Sequence, residues 1–277
     1  MITGDNKRVF SYLSEYLNFM PDAINADMIK ETVDLCGVSA EEAFRILFLG
    51  IMDIYDDKEM RNNRFSRIFK CLDPSKYEND PYNKTIALPV SKLKDWEFTK
   101  GIYKPYEAFV FNDPMEENGN IIPQIGFFDR EYTYPVVKQA GREWMLITPN
   151  EIETMALPIK KAHGNVTTYG LGLGYFAFMA SEKDNVRSVT VIEKDKSIIR
   201  LFEEHILPQF PNKNKIRIIC EDAFEYAERK IYSDFVFADI WHDPSDGCEP
   251  YLRLKALERP DTEYSYWIED TIKYYIQ

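Results

Sequence analysis

The sequence predicts an α/β protein in which a parallel sheet, truncated after its fourth strand, follows a helical domain and a small antiparallel β domain. Three observations support this class. From residue 151 onward β-prone and helical stretches alternate, residues 76–150 hold short β-rich runs, and residues 1–75 show helical periodicity. Repeated strand–helix–strand units require crossover connections and give parallel sheets. We therefore divide the chain into domains at 1–75, 76–150 and 151–277.

The composition is that of a soluble folded protein with an excess of acid. Of 277 residues, 45% are hydrophobic, and 46 Asp and Glu against 34 Lys and Arg give a formal charge of −12. Such a chain can bury a core. Its acidity argues against a nucleic-acid partner, because phosphate backbones select for basic surfaces, whereas it suits a cationic partner.

Targeting and metal signals are not found. The amino terminus has no apolar signal-peptide core, and the longest apolar run, 46–52, is too short to cross a bilayer. The cysteines form no C-x-x-C pair and the histidines lie far apart, which favours reduced thiols and no metal site. We expect a cytoplasmic protein without a membrane partner.

Residues 1–75 are expected to form helices. Helices are predicted around Leu13, over 27–36 with Gly37 as the stop, over 43–55 behind a Ser39 capping box, and over 60–72. The pattern around Gly37 superficially resembles a helix-turn-helix. Its second helix has Arg45 as its only basic residue, which is unsuited to a groove lined with phosphates.

The β-rich segment and the last domain are predicted from short apolar runs bounded by turn residues. Within 76–150, strands are expected at 85–90, 108–111, 121–128, 134–137 and 143–148, with a turn at 112–114. After residue 150, strands are expected at 166–169, 188–192, 215–220 and 234–238, with helices at 175–181, 196–207 and 223–230 between them. The remaining residues are predicted as two helices, 251–258 and 266–276, so that a fifth strand is missing.

Polar signals follow the strands of this last domain. The first strand ends in Gly170-Leu171-Gly172-Leu173-Gly174, and acids close the next three, at Glu193, Asp222 and Asp239. Glycines let a ligand approach the backbone closely, and an acid about 20 residues further on suits ribose hydroxyls. Because the carboxyl ends of parallel strands form the ligand crevice, these features converge on one cleft for a nucleoside-containing cofactor.

The glycine loop, Glu193, the run 221–224 and the run 234–239 together resemble class I S-adenosylmethionine-dependent methyltransferases, whose sheet is Rossmann-like. The resemblance implies that the loop faces the methionine part of S-adenosylmethionine and that Glu193 holds the ribose. It also implies that Asp222 meets the adenine amino group and that Asp239 is the catalytic residue. The cofactor site implied in this way comprises Tyr169, Gly170, Gly172, Gly174, Glu193, Asp222 and Ala223.

A second likeness is more specific. The stretch 150–158 ahead of the glycine strand resembles the lead-in of spermidine synthases, which also carry a small β domain before the sheet. Their Asp-x-x-Asp-Pro motif corresponds here to Asp239–Pro244, which is one residue longer. The chain departs from both families: Thr168 stands where methyltransferases usually have an acid, and Leu173 stands where spermidine synthases have Asp.

Three functions follow as hypotheses. The first is methyl transfer to an unidentified small acceptor, with Asp239 orienting or deprotonating the nucleophile and His242 as an alternative base. The second is aminopropyl transfer from decarboxylated S-adenosylmethionine, with Asp239 and Asp243 holding ammonium groups. The third is a non-catalytic cofactor-binding or interaction module. A dinucleotide site ranks lower, because the fit of Gly172-x-Gly174-x-x-Ala177 leaves Asp222 and Asp239 without a role. A small acceptor, cationic in the second case, is the expected partner, and homo-oligomerisation stays open.

Overall fold

The computed structural model describes residues 4–54, 67–117 and 120–276. These residues form two compact units, the first from 1–76 and 102–133 and the second from 77–101 and 134–277. Each unit draws on two separate stretches of chain. The β-rich segment 76–150 contributes strands to both units.

Among the described residues, three helices of more than ten residues and a three-stranded sheet lie in the first unit. The helices are α1 (Gly4–Phe19), α2 (Ala26–Cys36) and α3 (Ala40–Ile51), and the strands are β1 (Phe69–Cys71), β4 (Phe109–Glu117) and β5 (Asn120–Phe127). Strand β5 lies in the middle, parallel to β1 and antiparallel to β4.

Local capping explains where the helices of this unit begin and end. The Ser39 hydroxyl accepts the Glu42 N–H at the start of α3, and Gly37 ends α2 in the left-handed conformation at φ 65°. The ring of Phe44 stacks on Phe127 with centroids 4.4 Å apart, which fixes α3 on the sheet. The predicted Ser39 cap and Gly37 stop are thereby confirmed.

Three sequence predictions before residue 150 need correction, and one strand is additional to them. The predicted helix 60–72 falls partly outside the described residues, and its end is strand β1. The predicted strand 85–90 is wrong, because α5 (Pro81–Thr85) occupies its start and no strand covers the rest. The predicted turn 112–114 lies inside β4, where register shifts after Val110 and Asn112 absorb the irregular residues. The strand Trp96–Tyr103 was not predicted.

The second unit begins with part of a short helix, α4 (Pro74–Glu78), and α5, and it holds two sheets. The smaller sheet has the order β2 (Ser91–Leu93), β3 (Trp96–Tyr103), β6 (Tyr132–Gln139), β7 (Arg142–Leu146), and most of its residues belong to this unit. A helix, α6 (Pro149–Lys161), leads from it to the larger sheet.

The larger sheet is entirely parallel. Its strands are β8 (Gly164–Tyr169), β9 (Val186–Glu193), β10 (Ile216–Cys220), β11 (Phe235–Ala238) and β12 (Glu263–Tyr266), in the spatial order β10-β9-β8-β11-β12. The crossovers carry α7 (Tyr175–Ser181), α8 (Lys196–His205), α9 (Ala223–Glu228) and α10 (Pro244–Ala256), and α11 (Glu269–Ile276) follows β12. This strand order is Rossmann-like, and the predicted α/β class with a parallel sheet is confirmed.

The predicted truncation after the fourth strand is wrong. Strand β12 pairs in parallel with β11, from Phe235 with Glu263 to Ala238 with Tyr266. The stretch from Pro244 to Ala256 is a longer helix than predicted, and Asp243 and Asp246 form a capping box at its start. The sheet reverses its order of addition between β8 and β11, and such a switch point is where open α/β sheets form their ligand crevice.

Candidate functional site

A cavity of about 790 Å³ opens at the carboxyl edge of the parallel sheet, within the second unit. Its floor comes from the segments that follow four neighbouring strands: the glycine loop after β8, Glu193 at the end of β9, Asp222 after β10 and Asp239 after β11. One wall comes from β7 and from the segment before β3. The volume is that of a typical small-molecule site.

The glycine loop is held in place by the protein's own groups. Gly170, Gly172 and Gly174 have φ of 95°, 50° and 74°, a region that disfavours side chains. A Cβ on Gly170 would lie 2.0 Å from the Asp239 carbonyl oxygen. This glycine therefore lets the end of β8 pack against the end of β11.

Four of the five N–H groups of the loop already donate within the described part of the chain. Gly170 donates to Ile192 O (2.9 Å), Leu171 to Glu193 Oε2 (3.3 Å), Leu173 to Met145 Sδ (3.1 Å) and Gly174 to Leu171 O (2.7 Å). The Leu173 carbonyl in turn accepts the Tyr82 hydroxyl at 2.6 Å. An anion bound on this loop would therefore find one N–H group, that of Gly172, without a partner among the described residues.

Glu193 fastens two loops while it faces the cavity. Besides the Leu171 N–H, its carboxylate accepts the Asp195 N–H on Oε1 at 2.9 Å. Burial raises the pKa of Glu193, and the backbone N–H groups partly offset that rise. Each carboxylate oxygen can accept further bonds, so Glu193 remains able to receive a ribose hydroxyl.

Asp222 starts a helix and leaves one oxygen available. Its Oδ1 accepts the N–H groups of Phe224 (2.8 Å) and Glu225 (3.3 Å) as the cap of α9. Its Oδ2 has no partner among the described residues. Ala223 and Phe224 line the cavity beside it, and the Arg253 guanidinium lies over the Phe224 ring, 3.9 Å from its centroid. The arrangement offers one acceptor and one ring to a planar base.

Glu151, which is buried, and Asp239, which is half-buried, bring two carboxyl groups to the other end of the cavity. Burial raises the pKa of Asp239 to about 7. Burial, with the charge of Asp239 added, raises the pKa of Glu151 well above its usual range. Carboxyl groups displaced in this way from their solution pKa, inside a cleft, mark functional-site candidates.

The wall opposite the sheet is aromatic. Trp96 donates its Nε1 to Asp195 Oδ2 at 2.9 Å and meets the Trp144 ring edge-on at 6.0 Å. Trp144 in turn meets His242, with centroids 4.1 Å apart. Burial first, and Arg142 second, lower the pKa of His242, so that at neutral pH the imidazole is uncharged.

The electrostatic character of the cavity is acidic. Eight carboxyl side chains and three lysines line it, and no arginine is among its lining residues. The lysines, Lys94, Lys194 and Lys196, are exposed at the rim. Such a lining favours a ligand that carries positive charge.

The structure brings together most of the residues that the sequence singled out. Gly170, Gly172, Glu193, Asp222, Ala223 and Asp239 line the cavity. Two predicted cofactor residues do not: Tyr169 is buried against Tyr226, and Gly174 caps α7 beneath Phe202. Asp243, the second acid of the aminopropyl hypothesis, caps α10 and is not a lining residue.

Several lining residues were missed. Glu151 lies in the first turn of α6, inside the stretch that carried the spermidine synthase resemblance, so that resemblance was the available signal. Met145, Trp96 and Trp144 reach the cavity from the smaller sheet. No spacing in the sequence connects them to the glycine loop.

The described ranges hold neither a cluster of metal-ligating side chains nor a membrane-spanning helix. Across the described ranges, no three His, Cys, Asp or Glu side chains are close enough to share a metal ion. None of the helices in those ranges is both long and apolar enough to cross a membrane.

Comparison with known proteins finds similarity to solved structures only. No protein-family profile matches the chain, and no curated protein sequence does. The crystal structure of spermidine synthase from Thermotoga maritima is similar to 50% of this chain with 19% sequence identity and a TM-score of 0.37. The match spans about half of that protein, 53% of its chain. The function is therefore inferred from the site itself.

Proposed function

We propose that the protein is a transferase that takes an adenosyl sulfonium donor and an amine acceptor, and that the group transferred is the aminopropyl group of decarboxylated S-adenosylmethionine. The observation that carries the proposal is the carboxyl pair of Asp239 and Glu151, beside a glycine loop in which four of five amides are already engaged. Because the pKa of both carboxyl groups is raised, an ammonium group bound there would stabilise the ionised form of the pair, whereas the loop offers an anion only the Gly172 N–H.

The order of groups along the sheet edge supports a nucleoside with a short tail. Asp222, Glu193, the glycine loop and Asp239 follow β10, β9, β8 and β11, which are neighbours in that order. Neighbouring strands lie about 4.8 Å apart, so the row extends over roughly 14 Å. A base at Asp222 and Phe224, a ribose at Glu193 and a tail across the loop would end at Asp239.

The same geometry disfavours a dinucleotide. A pyrophosphate needs several free N–H groups or a long helix that begins at the loop. The loop keeps the Gly172 N–H alone without a partner among the described residues, and the following helix, α7, has seven residues. A phosphate there would also face the carboxyl groups of the cavity at close range.

In this reaction the protein would align the two substrates and remove a proton from the attacking amine. The sulfonium, when bound, supplies a leaving group: the amine lone pair forms a new N–C bond while the C–S bond breaks and its electrons stay on sulfur. An amine in water is protonated, so a proton must leave the attacking nitrogen. The Asp239 carboxylate, with a pKa of about 7, suits that proton near neutral pH. Glu151 and the tryptophan wall would hold the acceptor chain in line.

Methyl transfer from intact S-adenosylmethionine, the first hypothesis from the sequence, is the alternative outcome. It uses the same sulfonium and the same base. It ranks second because the intact donor carries a carboxylate into a cavity lined by acids. A non-catalytic module is the third outcome, and it predicts binding without turnover or no binding at all.

The full chain, incubated with a panel of α,ω-diamines and either donor, tests the proposal by mass spectrometry of the amine. We expect a product heavier by one aminopropyl group with decarboxylated S-adenosylmethionine and no methylated product with the intact donor. Methylated amine alone would replace the proposal by the first hypothesis. No product with either donor, together with no heat of binding in calorimetry, would favour the non-catalytic module.

A further inference from the structure

The protein places a methionine of its own over the glycine loop. Met145 lies on β7, where it pairs with Val137 of β6. Its Sδ accepts the Leu173 N–H at 3.1 Å, and a Cβ placed on Gly172 would lie 2.1 Å from the same sulfur. The thioether therefore fills the space that Gly172 leaves open toward the cavity.

The backbone of Leu173 is held at both its N–H and its carbonyl. Its carbonyl accepts the hydroxyl of Tyr82, which is fully buried, and its side chain is buried as well. The adjacent Tyr175 hydroxyl donates to Asp80 at 3.0 Å. The loop is thus fixed without a ligand, and the Leu173 N–H stays directed at Met145.

The position of Met145 affects which donor tail can bind over the loop, an inference that rests on the proposed function. The tail of the donor must cross the loop between Glu193 and Asp239, because those groups follow β9 and β11 on either side of β8. A carboxylate on that tail would need donors, and charged hydrogen bonds are lost at high cost when donors are missing. Met145 covers the Leu173 N–H, so that Gly172 supplies the one loop amide without a partner among the described residues, and the carboxyl groups of Asp239 and Glu151 line the cavity at that end.

We propose that Met145 is a donor-selecting residue: its thioether covers the Leu173 N–H above Gly172 and so admits a tail that ends in an ammonium group while excluding one that carries a carboxylate. Sulfur is a weak acceptor. It satisfies the amide without adding charge, which an Asp or Glu at this position would do.

The test compares three ligands by isothermal titration calorimetry on the full chain: 5′-methylthioadenosine, decarboxylated S-adenosylmethionine and the intact cofactor. For the wild type we expect the decarboxylated form to bind at least about 10-fold more tightly than the intact one. In Met145→Ala the affinity for the intact cofactor should rise, so that the ratio of the two affinities, decarboxylated over intact, falls about fivefold or more. The affinity for 5′-methylthioadenosine, which has no charged tail, should stay within about twofold.

Met145→Leu is the matched control, because leucine keeps the volume and loses the sulfur. We expect it to remain selective, since the space above Gly172 stays filled. Equal binding of both donors by the wild type, or an unchanged ratio in Met145→Ala, overturns the role of Met145 while leaving an adenosyl site in place. Failure of all three ligands to bind the wild type overturns the proposed function instead.

A measurement on the wild type covers the case in which Met145→Ala does not fold. The Leu173 amide should keep its slow hydrogen exchange and its NMR shift when decarboxylated S-adenosylmethionine saturates the site. A large change in that shift with renewed exchange would mean that the ligand displaces Met145. That result would overturn the proposal.

Discussion

At the scale of single residues, Asp239 has the most direct predicted effect. Asp239→Asn keeps the size of the side chain and removes the base, so donor binding should weaken by no more than about 10-fold, through the lost charge near the tail, while turnover falls by about 10²–10⁴. Steady-state kinetics with calorimetry of the donor checks this split. Asp184→Asn, an exposed acid at the opposite end of β9, is the control and should leave both unchanged. Loss of binding alone would assign Asp239 to the donor site rather than to proton transfer.

The carboxyl pair also makes stability depend on pH. A carboxyl whose pKa is raised on folding binds more protons in the native state, so the free energy of unfolding falls as pH rises from the unfolded value toward the native one. For Asp239 that interval runs from 3.8 to about 7. The pKa of Glu151 is likewise raised well above 4.5. The loss approaches about 1.4 kcal/mol per pH unit for each group.

Glu151→Gln should therefore reduce the fall in unfolding free energy between pH 5 and pH 8. Denaturant unfolding at several pH values, with wild type and variant measured side by side, cancels the titration of the groups that do not interact with Glu151. Glu263→Gln changes an acid that is exposed and serves as the control. A variant whose pH slope equals that of the wild type would mean that Glu151 is ionised in the native state.

At the scale of elements, Gly170 of the glycine loop is required more for the close packing of the backbone than for its positive φ. Gly170→Ala places a Cβ against the backbone of Asp239 in a left-handed conformation, whereas Gly37→Ala meets nothing within 4 Å at a similar φ. We expect a loss of about 1 kcal/mol at Gly37 and of more than about 3 kcal/mol at Gly170. Thermal and denaturant unfolding measure both. Equal losses would show that φ alone governs the two sites.

The strands that the sequence predicts are recognisable from their own residues, whereas the strand that it misses depends on its neighbour. Strands β8, β9 and β11 were predicted because they are short runs rich in β-branched and aromatic residues and because glycines or acids mark their ends. Strand β12 was missed because it has four residues, Glu263–Tyr266, of which the first is exposed. Its strand character comes from pairing with β11.

The same limit applies to the site. Acids at strand ends are visible in a sequence because topology alone brings them to one edge. The contact of Met145 with Leu173 joins residues 28 positions apart on different sheet and loop segments. The raised pKa of Glu151 depends on burial against Asp239. Neither is encoded in any local pattern, so the sequence predicted the end of the cavity at Glu193 and Asp222 better than the end at Glu151 and Met145.

At the scale of the whole molecule, part of the formal charge of −12 is concentrated in the cavity, whose lining holds eight carboxyl side chains and three lysines. A donor with a sulfonium and an ammonium group carries two positive charges, and an acidic cleft raises its local concentration and its rate of binding.

Salt screens this attraction, with a Debye length of about 10 Å at 0.1 M and about 3 Å at 1 M. Affinity for decarboxylated S-adenosylmethionine should therefore fall about 10-fold or more between 0.05 and 0.5 M NaCl. Binding of 5′-methylthioadenosine, which is neutral, should change less than about twofold, and calorimetry across the salt series measures both. The neutral ligand controls for effects of salt on the fold and on the nucleoside half of the site. Parallel losses for the two ligands would mean that the acids of the cavity do not act on the tail, and the preference for a cationic donor would then have to be abandoned.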